Sequence, residues 1–183
     1  MPTLGLVAVE ESIESGPRRL SVPRSAAAGL GLGLLWGIAA RSWMRLISTE
    51  PQFTWAGTAT ILTLTSVSGL ALGILYGVRQ AGRSRWWRAL AVLCLPLFSG
   101  AGMVFLPTFL LGGLLYLPHL WSRLVGAAGI LISHGWLWRS LNGDSLNPWY
   151  LYSGFLVLSL ALAAGAAELY RPRRLREAAV AQE

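Results

Sequence analysis

Lysine is absent from this chain: all 15 basic residues are arginine, set against only 8 acids, for a net charge of +7. Arginine-only usage beside abundant Ala, Gly and Leu reads as the mark of a GC-rich bacterial genome rather than a demand for guanidinium chemistry. The lone cysteine, Cys94, sits inside an apolar run, which excludes an intrachain disulfide, a cysteine-based metal cluster and a paired redox centre. No HExxH, no phosphate loop and no pair of intramembrane carboxylates occurs, so no metal and no cofactor is implied. Charge is scarce as well: 13% of residues, where soluble domains carry about a quarter.

What is present is apolar. Hydrophobic residues make up 54% of the chain and the mean hydropathy is +0.54, which places it in the membrane class. Apolar segments cover 25–47, 54–78, 86–117, 121–138 and 149–170. A helix needs about 20 apolar residues to cross the hydrocarbon. The first, second and fifth segments meet that, and the fourth is diluted by Ser133, His134 and Gly135. The third is too long for one span and is broken at "SGAG" (99–102) and Pro107. Residues 1–24 read as a flexible cytoplasmic tail, 25–170 as a polytopic helical domain, and 171–183 as a basic cytoplasmic tail.

Arginines cluster beside the spans, at Arg18/Arg19/Arg24, Arg79/Arg83/Arg85/Arg88 and Arg171/Arg173/Arg174/Arg176, as the cytoplasmic flanks of membrane proteins do. The positive charge therefore points to anionic lipid headgroups and not to nucleic acid. If 79–88 and 171–176 share a side, an even number of crossings separates them. Parity is met when 86–117 returns to its starting side as a re-entrant hairpin or two short helices, or when 121–138 lies in the interface. The fold expected is an all-α membrane protein, a bundle of four transmembrane helices plus a broken or re-entrant helical segment, with five or six crossings as alternatives and both termini cytoplasmic. Trp43, Trp55, Trp86, Trp87, Trp121, Trp136, Trp138 and Trp149 lie near segment ends, where amphipathic rings settle at headgroup level.

Gly29, Gly33 and Gly37 recur at intervals of four on the first span, and Thr65, Gly69, Gly73 and Gly77 do so on the second. Residues four apart share a helix face, and small residues let backbones approach closely in lipid. An antiparallel pairing with Gly37 opposite Gly69 and Gly33 opposite Gly73 sets Arg41 opposite Thr65 and Arg45 opposite Ile61. Arg41 and Arg45 continue the glycine stripe and so begin on a protein-facing side. With Glu50, Thr65 and Asp144 they form the candidate polar or ligand-binding cluster. The corner Thr49-Glu50-Pro51-Gln52 matches a capping box. The stretch "WMRLISTEPQFTWAGT" (43–58) resembles a segment of small uncharacterised multipass membrane proteins of actinobacteria. That likeness implies class and bacterial source, with no activity to carry over.

Ser99 with His134 invites an intramembrane serine protease, but the serine lacks the preceding glycine of rhomboid-type sites. His119 and His134 lie about 22 Å apart if they share a helix, too far for one haem iron. Glu168 beside Arg171 reads as an interfacial pair. No catalytic residue is assigned. The expected function is a non-enzymatic subunit or scaffold of the bacterial cytoplasmic membrane, associating with a membrane partner or with itself through glycine-rich faces. The alternative is a small transporter or channel-like protein that uses segment 86–117 and the Arg41/Arg45/Glu50 cluster.

Overall fold

Among the described residues, four long helices form where apolar residues run without a breaker, and the third apolar segment fragments where proline and glycine interrupt it. The computed structural model describes residues 21–48, 53–81, 85–140 and 148–171. Helix α1 (Val22–Ile47) starts with Pro23 in its first turn, where a missing N–H is harmless; it begins three residues before the expected start and draws Arg24 into the helix. Helix α2 (Trp55–Gln80) is capped by Thr54, whose side chain accepts from the Gly57 N–H at 3.3 Å. The cap thus falls five residues after Thr49, and residues 49–52, with their capping-box pattern, lie outside the described residues.

Residues 85–116 are helical but not one helix. A 3₁₀ stretch (Arg85–Phe98) contains Pro96. Ser99 turns the chain, its Oγ donating to the Pro96 carbonyl at 2.8 Å. Gly100 follows at φ +56°, a left-handed conformation that suits glycine. The return limb passes through 3₁₀ helix (Gly100–Phe105), the short α3 (Leu106–Leu111) with Pro107 in its first turn, and 3₁₀ helix again (Gly112–Tyr116). A 3₁₀ helix rises about 2.0 Å per residue, so the 14 residues of the first limb reach about 28 Å. Helices α4 (Leu120–Ser140) and α5 (Pro148–Ala166) complete the chain, and a last 3₁₀ turn (Ala167–Leu169) follows.

Contacts fix the directions. Cys94 lies beside the carbonyl of Ser68, which sets the first limb antiparallel to α2. Thr108 meets Ser133, while a Cβ at Gly126 would meet Leu115, so the return limb is antiparallel to α4. Trp36 donates to the Leu158 carbonyl and Trp43 to that of Tyr150, running α5 antiparallel to α1. Three segments therefore run one way and three the other. Val22, Gln80, Trp86, Leu120 and Leu169 share one end of the bundle with the turn at 117–119. Ile47, Trp55, Ser140 and Pro148 share the opposite end with the turn at 99–100.

The core lies on the broken side. Phe105 stacks on Phe155 with centroids 4.5 Å apart, Phe98 packs on Phe109 at 4.8 Å, and the His134 ring meets Phe155 edge-on at 4.8 Å. Trp43 departs from expectation. It is 9% exposed, donates to Tyr150 at 3.0 Å and covers Gly154, so it is a core residue and not a headgroup anchor. Its face of α1 turns toward α5, which a position near a helix end does not reveal. Among the described residues, three helical stretches are long and apolar enough to cross a membrane, Val22–Ile47, Trp55–Gln80 and Pro148–Leu169. These match the first, second and fifth apolar segments of the sequence.

Candidate functional site

The α1–α2 seam is made of backbone. A Cβ on Gly33 would lie 2.9 Å from the Cα of Gly69, one on Gly69 2.7 Å from the Cα of Gly33, and one on Gly29 2.7 Å from the Cα of Gly73. Real side chains do not tolerate such separations, so each glycine of one helix seats between two small residues of the other. Ser25 extends the row on α1: it is 3% exposed, bonds the Val22 carbonyl at 2.9 Å, and faces Gly77. Four small residues thus face four, Ser25/Gly29/Gly33/Gly37 against Gly77/Gly73/Gly69/Thr65.

The register differs from the expected one by roughly one helical turn. Gly37 abuts Thr65, not Gly69, and Gly33 sits between Thr65 and Gly69. The observed pairs 37/65, 33/69 and 29/73 are symmetric about position 51 of the sequence, where the expected pairs 37/69 and 33/73 are symmetric about 53. Thr65 consequently leaves the arginine cluster. It is 2% exposed, and its hydroxyl donates to the Leu62 carbonyl at 3.1 Å.

Arg41 instead reaches Thr58, its Nε donating to Oγ1 at 3.3 Å, while the Thr58 hydroxyl donates to the Thr54 carbonyl at 3.1 Å. The cap of α2 therefore orients the guanidinium. Arg45, exposed, lies over the Phe53 ring with Cζ 4.9 Å from its centroid, and Phe53 in turn meets Trp55 edge-on at 4.8 Å. Glu50 and Asp144 lie outside the described residues. The site as described is two arginines, one threonine and two aromatic rings at the end of the bundle that holds Ile47 and Trp55.

Two polar arrangements escaped sequence reasoning. At the opposite end Arg79 Nη2 pairs with Glu168 Oε2 at 2.5 Å and Arg171 Nη1 with Glu168 Oε1 at 2.8 Å; Arg79 and Glu168 are 13% and 11% exposed. Glu168 is thus the hub of a triad joining α2 to the end of α5, with Arg79 and Glu168 nearly buried and Arg171 exposed, beyond the expected Arg171 pair. Tyr170 adds a tie by donating to the Leu110 carbonyl, and burial pushes its phenol above the ordinary range. Only their placement at the same end of parallel helices could have foretold Arg79 with Glu168.

The second arrangement is in the core. Ser133 Oγ accepts from the Thr108 N–H at 3.1 Å and from the Thr108 hydroxyl at 2.8 Å, with both residues fully buried. Pro107 opens α3 in the middle of the bundle and leaves the Thr108 N–H without an intrahelical acceptor. Ser133, which weakens α4 as an apolar span, supplies that acceptor. The signal was present as a serine in one span and a proline break in another.

Among the described residues no group of three or more His, Cys, Asp or Glu is placed to hold a metal. Ser99 and His134 are not joined: Ser99 bonds Pro96, and the His134 Nδ1 bonds Ile130 O at 2.9 Å. No known family, curated protein or solved structure matches the chain.

Proposed function

We propose that the protein is a non-enzymatic, multipass membrane protein of the bacterial cytoplasmic membrane that serves as a subunit or scaffold. It crosses six times, with both termini on the cytoplasmic side. The packing of the broken segment carries this reading. A Cβ on Gly113 would lie 2.7 Å from the backbone of Ala166, one on Gly126 2.8 Å from Leu115 Cα, and one on Gly129 2.9 Å from the Pro107 carbonyl. Broken helices of transporters flank a water-filled substrate site; this one is closed backbone to backbone, and that favours the scaffold over the transporter.

Two limbs of near-hydrocarbon length, returning to the side from which they left, meet the parity that the arginines require. Arg24, Arg79, Arg88, Arg123 and Arg171 share the end assigned to the cytoplasm, against Arg41, Arg45 and Arg139 at the other. The likeness of residues 43–58 to actinobacterial membrane proteins agrees with a bacterial source. The six glycines of the α1–α2 seam are engaged within the chain, so a partner docks elsewhere. The outward side of α1 is open to one, since only 11% of its most apolar stretch is buried, against 39% and 44% in the other two long apolar helices.

Cys94, with no exposed surface, is a built-in reporter at the level of Ser68. In sealed membranes a small hydrophilic thiosulfonate leaves Cys94 unmodified if the bundle is solid; its modification would sink the scaffold reading in favour of a water-filled path. In a Cys94→Ser background, Ser99→Cys reacts with an impermeant maleimide from outside and His119→Cys only after permeabilisation. Protection of both until permeabilisation would reduce 86–117 to a re-entrant loop.

A further inference from the structure

We infer that Arg41 and Arg45 form a clamp for the phosphate of an anionic phospholipid in the outer leaflet, a reading that rests on the membrane placement proposed above. Helix α1 has 26 residues, about 39 Å of length for a hydrocarbon layer of about 30 Å. Centred on that layer, α1 extends about 4–5 Å beyond each boundary. Arg41 stands six residues before Ile47, about 9 Å from the helix end, and so its Cα lies just inside the outer hydrocarbon boundary. Arg45 lies one turn higher, at headgroup level.

A guanidinium carries five N–H donors. The Arg41 Nε–H is occupied by Thr58, which leaves the four N–H groups of the two Nη nitrogens. Among the described residues, none accepts a hydrogen bond from those Nη nitrogens. Arg45 stacks on Phe53 through its face, which leaves its own edge donors available. Two forks one helical turn apart, one fixed by a threonine and one by a ring, match the oxygens of a phosphate monoanion. The ring pair Phe53–Trp55 beside them sits where glycerol and upper acyl carbons would lie.

The test uses the full chain, first shown to remain in carbonate-washed membranes; release at that step sinks the membrane reading and the clamp together. Purified protein is then offered phosphatidylglycerol or phosphatidylcholine, and bound lipid is counted by native mass spectrometry. Retention of phosphatidylglycerol above phosphatidylcholine is expected, falling about five-fold for Arg41→Gln and likewise for Arg45→Gln. Thr58→Val lowers it with no change of charge, and Arg139→Gln, at the same end of the bundle, leaves it unchanged. Equal retention by wild type and Arg41→Gln overturns the clamp, as would follow if Glu50 already neutralised Arg41. An equal loss in Arg139→Gln overturns it in favour of unspecific attraction, and displacement by millimolar inorganic phosphate overturns the lipid in favour of a soluble anion. If Arg41→Gln fails to run as a single species on size exclusion, the exposed Arg45→Gln and the Thr58→Val variant decide the question.

Discussion

The α1–α2 pair and the broken half (85–116 with α4 and α5) solve one packing problem in two ways. In the pair, two uninterrupted helices lie against each other along a single row of small residues. Nothing but shape is required, because every backbone group within each helix is bonded locally. In the broken half the same closeness is reached through glycines in adjacent or three-apart positions, Gly112/Gly113 against Ala163/Ala166 and Gly126/Gly129 against residues 107–115. There the prolines have freed backbone groups as well, and an apolar interior offers them no partner. Shape is then insufficient, and a hydroxyl must be delivered from a neighbour, as Ser133 is to Thr108. This is why the broken half sits at the centre, while α1 lies at the edge with most of its surface uncovered.

That difference can be broken most forcefully at the glycines. Gly113→Val drives a branched side chain into the backbone of α5 and is expected to cost about 3 kcal/mol or more, abolishing the cooperative thermal transition in detergent. Gly33→Val meets equally close backbone, yet its expected effect is local. It detaches α1, seen as selective protease release of the N-terminal fragment while the remainder still melts cooperatively. Global unfolding by Gly33→Val would show that the pair is not the peripheral unit described. Phe155→Ala, at the centre of the aromatic cluster and with no exposed surface, should destabilise by about 3–5 kcal/mol. A loss under about 1 kcal/mol would place the core elsewhere.

The polar contacts come next in size. Ser133→Ala strands the Thr108 N–H and hydroxyl, an expected cost of about 1–3 kcal/mol. Thr108→Val should be milder, because its N–H keeps the Ser133 acceptor. The reverse order would mean that the hydroxyl pair, and not the helix break, is what Ser133 serves. At the end of the bundle that holds Val22 and Leu169, Glu168→Gln leaves Arg79 nearly buried without its counter-charge. The penalty expected is about 2 kcal/mol, below that of a deeply buried pair because water reaches Arg171. Arg79→Leu combined with Glu168→Leu should recover most of it in a chemical-denaturation series.

How legible each half was in the sequence follows from the same difference. Spacing by four survives only where one helix type continues, so the glycine row of α1 and α2 was visible and only its register slipped, by the length of a corner that no periodicity encodes. Ser25, read as the first residue of the first span, was left out of the row because the row was traced through glycines alone. In the broken half, alternation between 3₁₀ and α rotates successive residues by different angles. Gly112, Gly113, Gly126 and Gly129 therefore show no common period, although they form an equally close seam. Of the polar cluster, Arg41 and Arg45 lie at the same end of the bundle, where α1 continuity puts them. Thr58 replaced Thr65 as the partner of Arg41, since a hydroxyl-rich stretch offers several candidates and only the register selects among them. Arg79 with Glu168 depends on α2 and α5 ending together, a tertiary fact without a local signature.

The smallest expected effects separate a finished surface from an unfinished one. A Cβ at Gly31 on α1 or Gly135 on α4 would meet nothing within 4 Å. Alanine at a helical glycine reduces the freedom of the unfolded chain and, where space is open, stabilises by about 0.4–1 kcal/mol. Gly31→Ala and Gly135→Ala should therefore raise the thermal midpoint of the purified protein slightly or leave it unchanged. In native membranes the same substitutions become informative in the opposite sense. A partner helix seated on α1 at the closeness seen between Gly33 and Gly69 would be pushed away by the added methyl at Gly31. Gly31→Ala that stabilises the isolated protein but lowers its abundance in cells would mark the outward face of α1 as occupied there, with Gly135→Ala as the matched comparison on the broken half. Equal and neutral behaviour at both positions would leave that face to lipid.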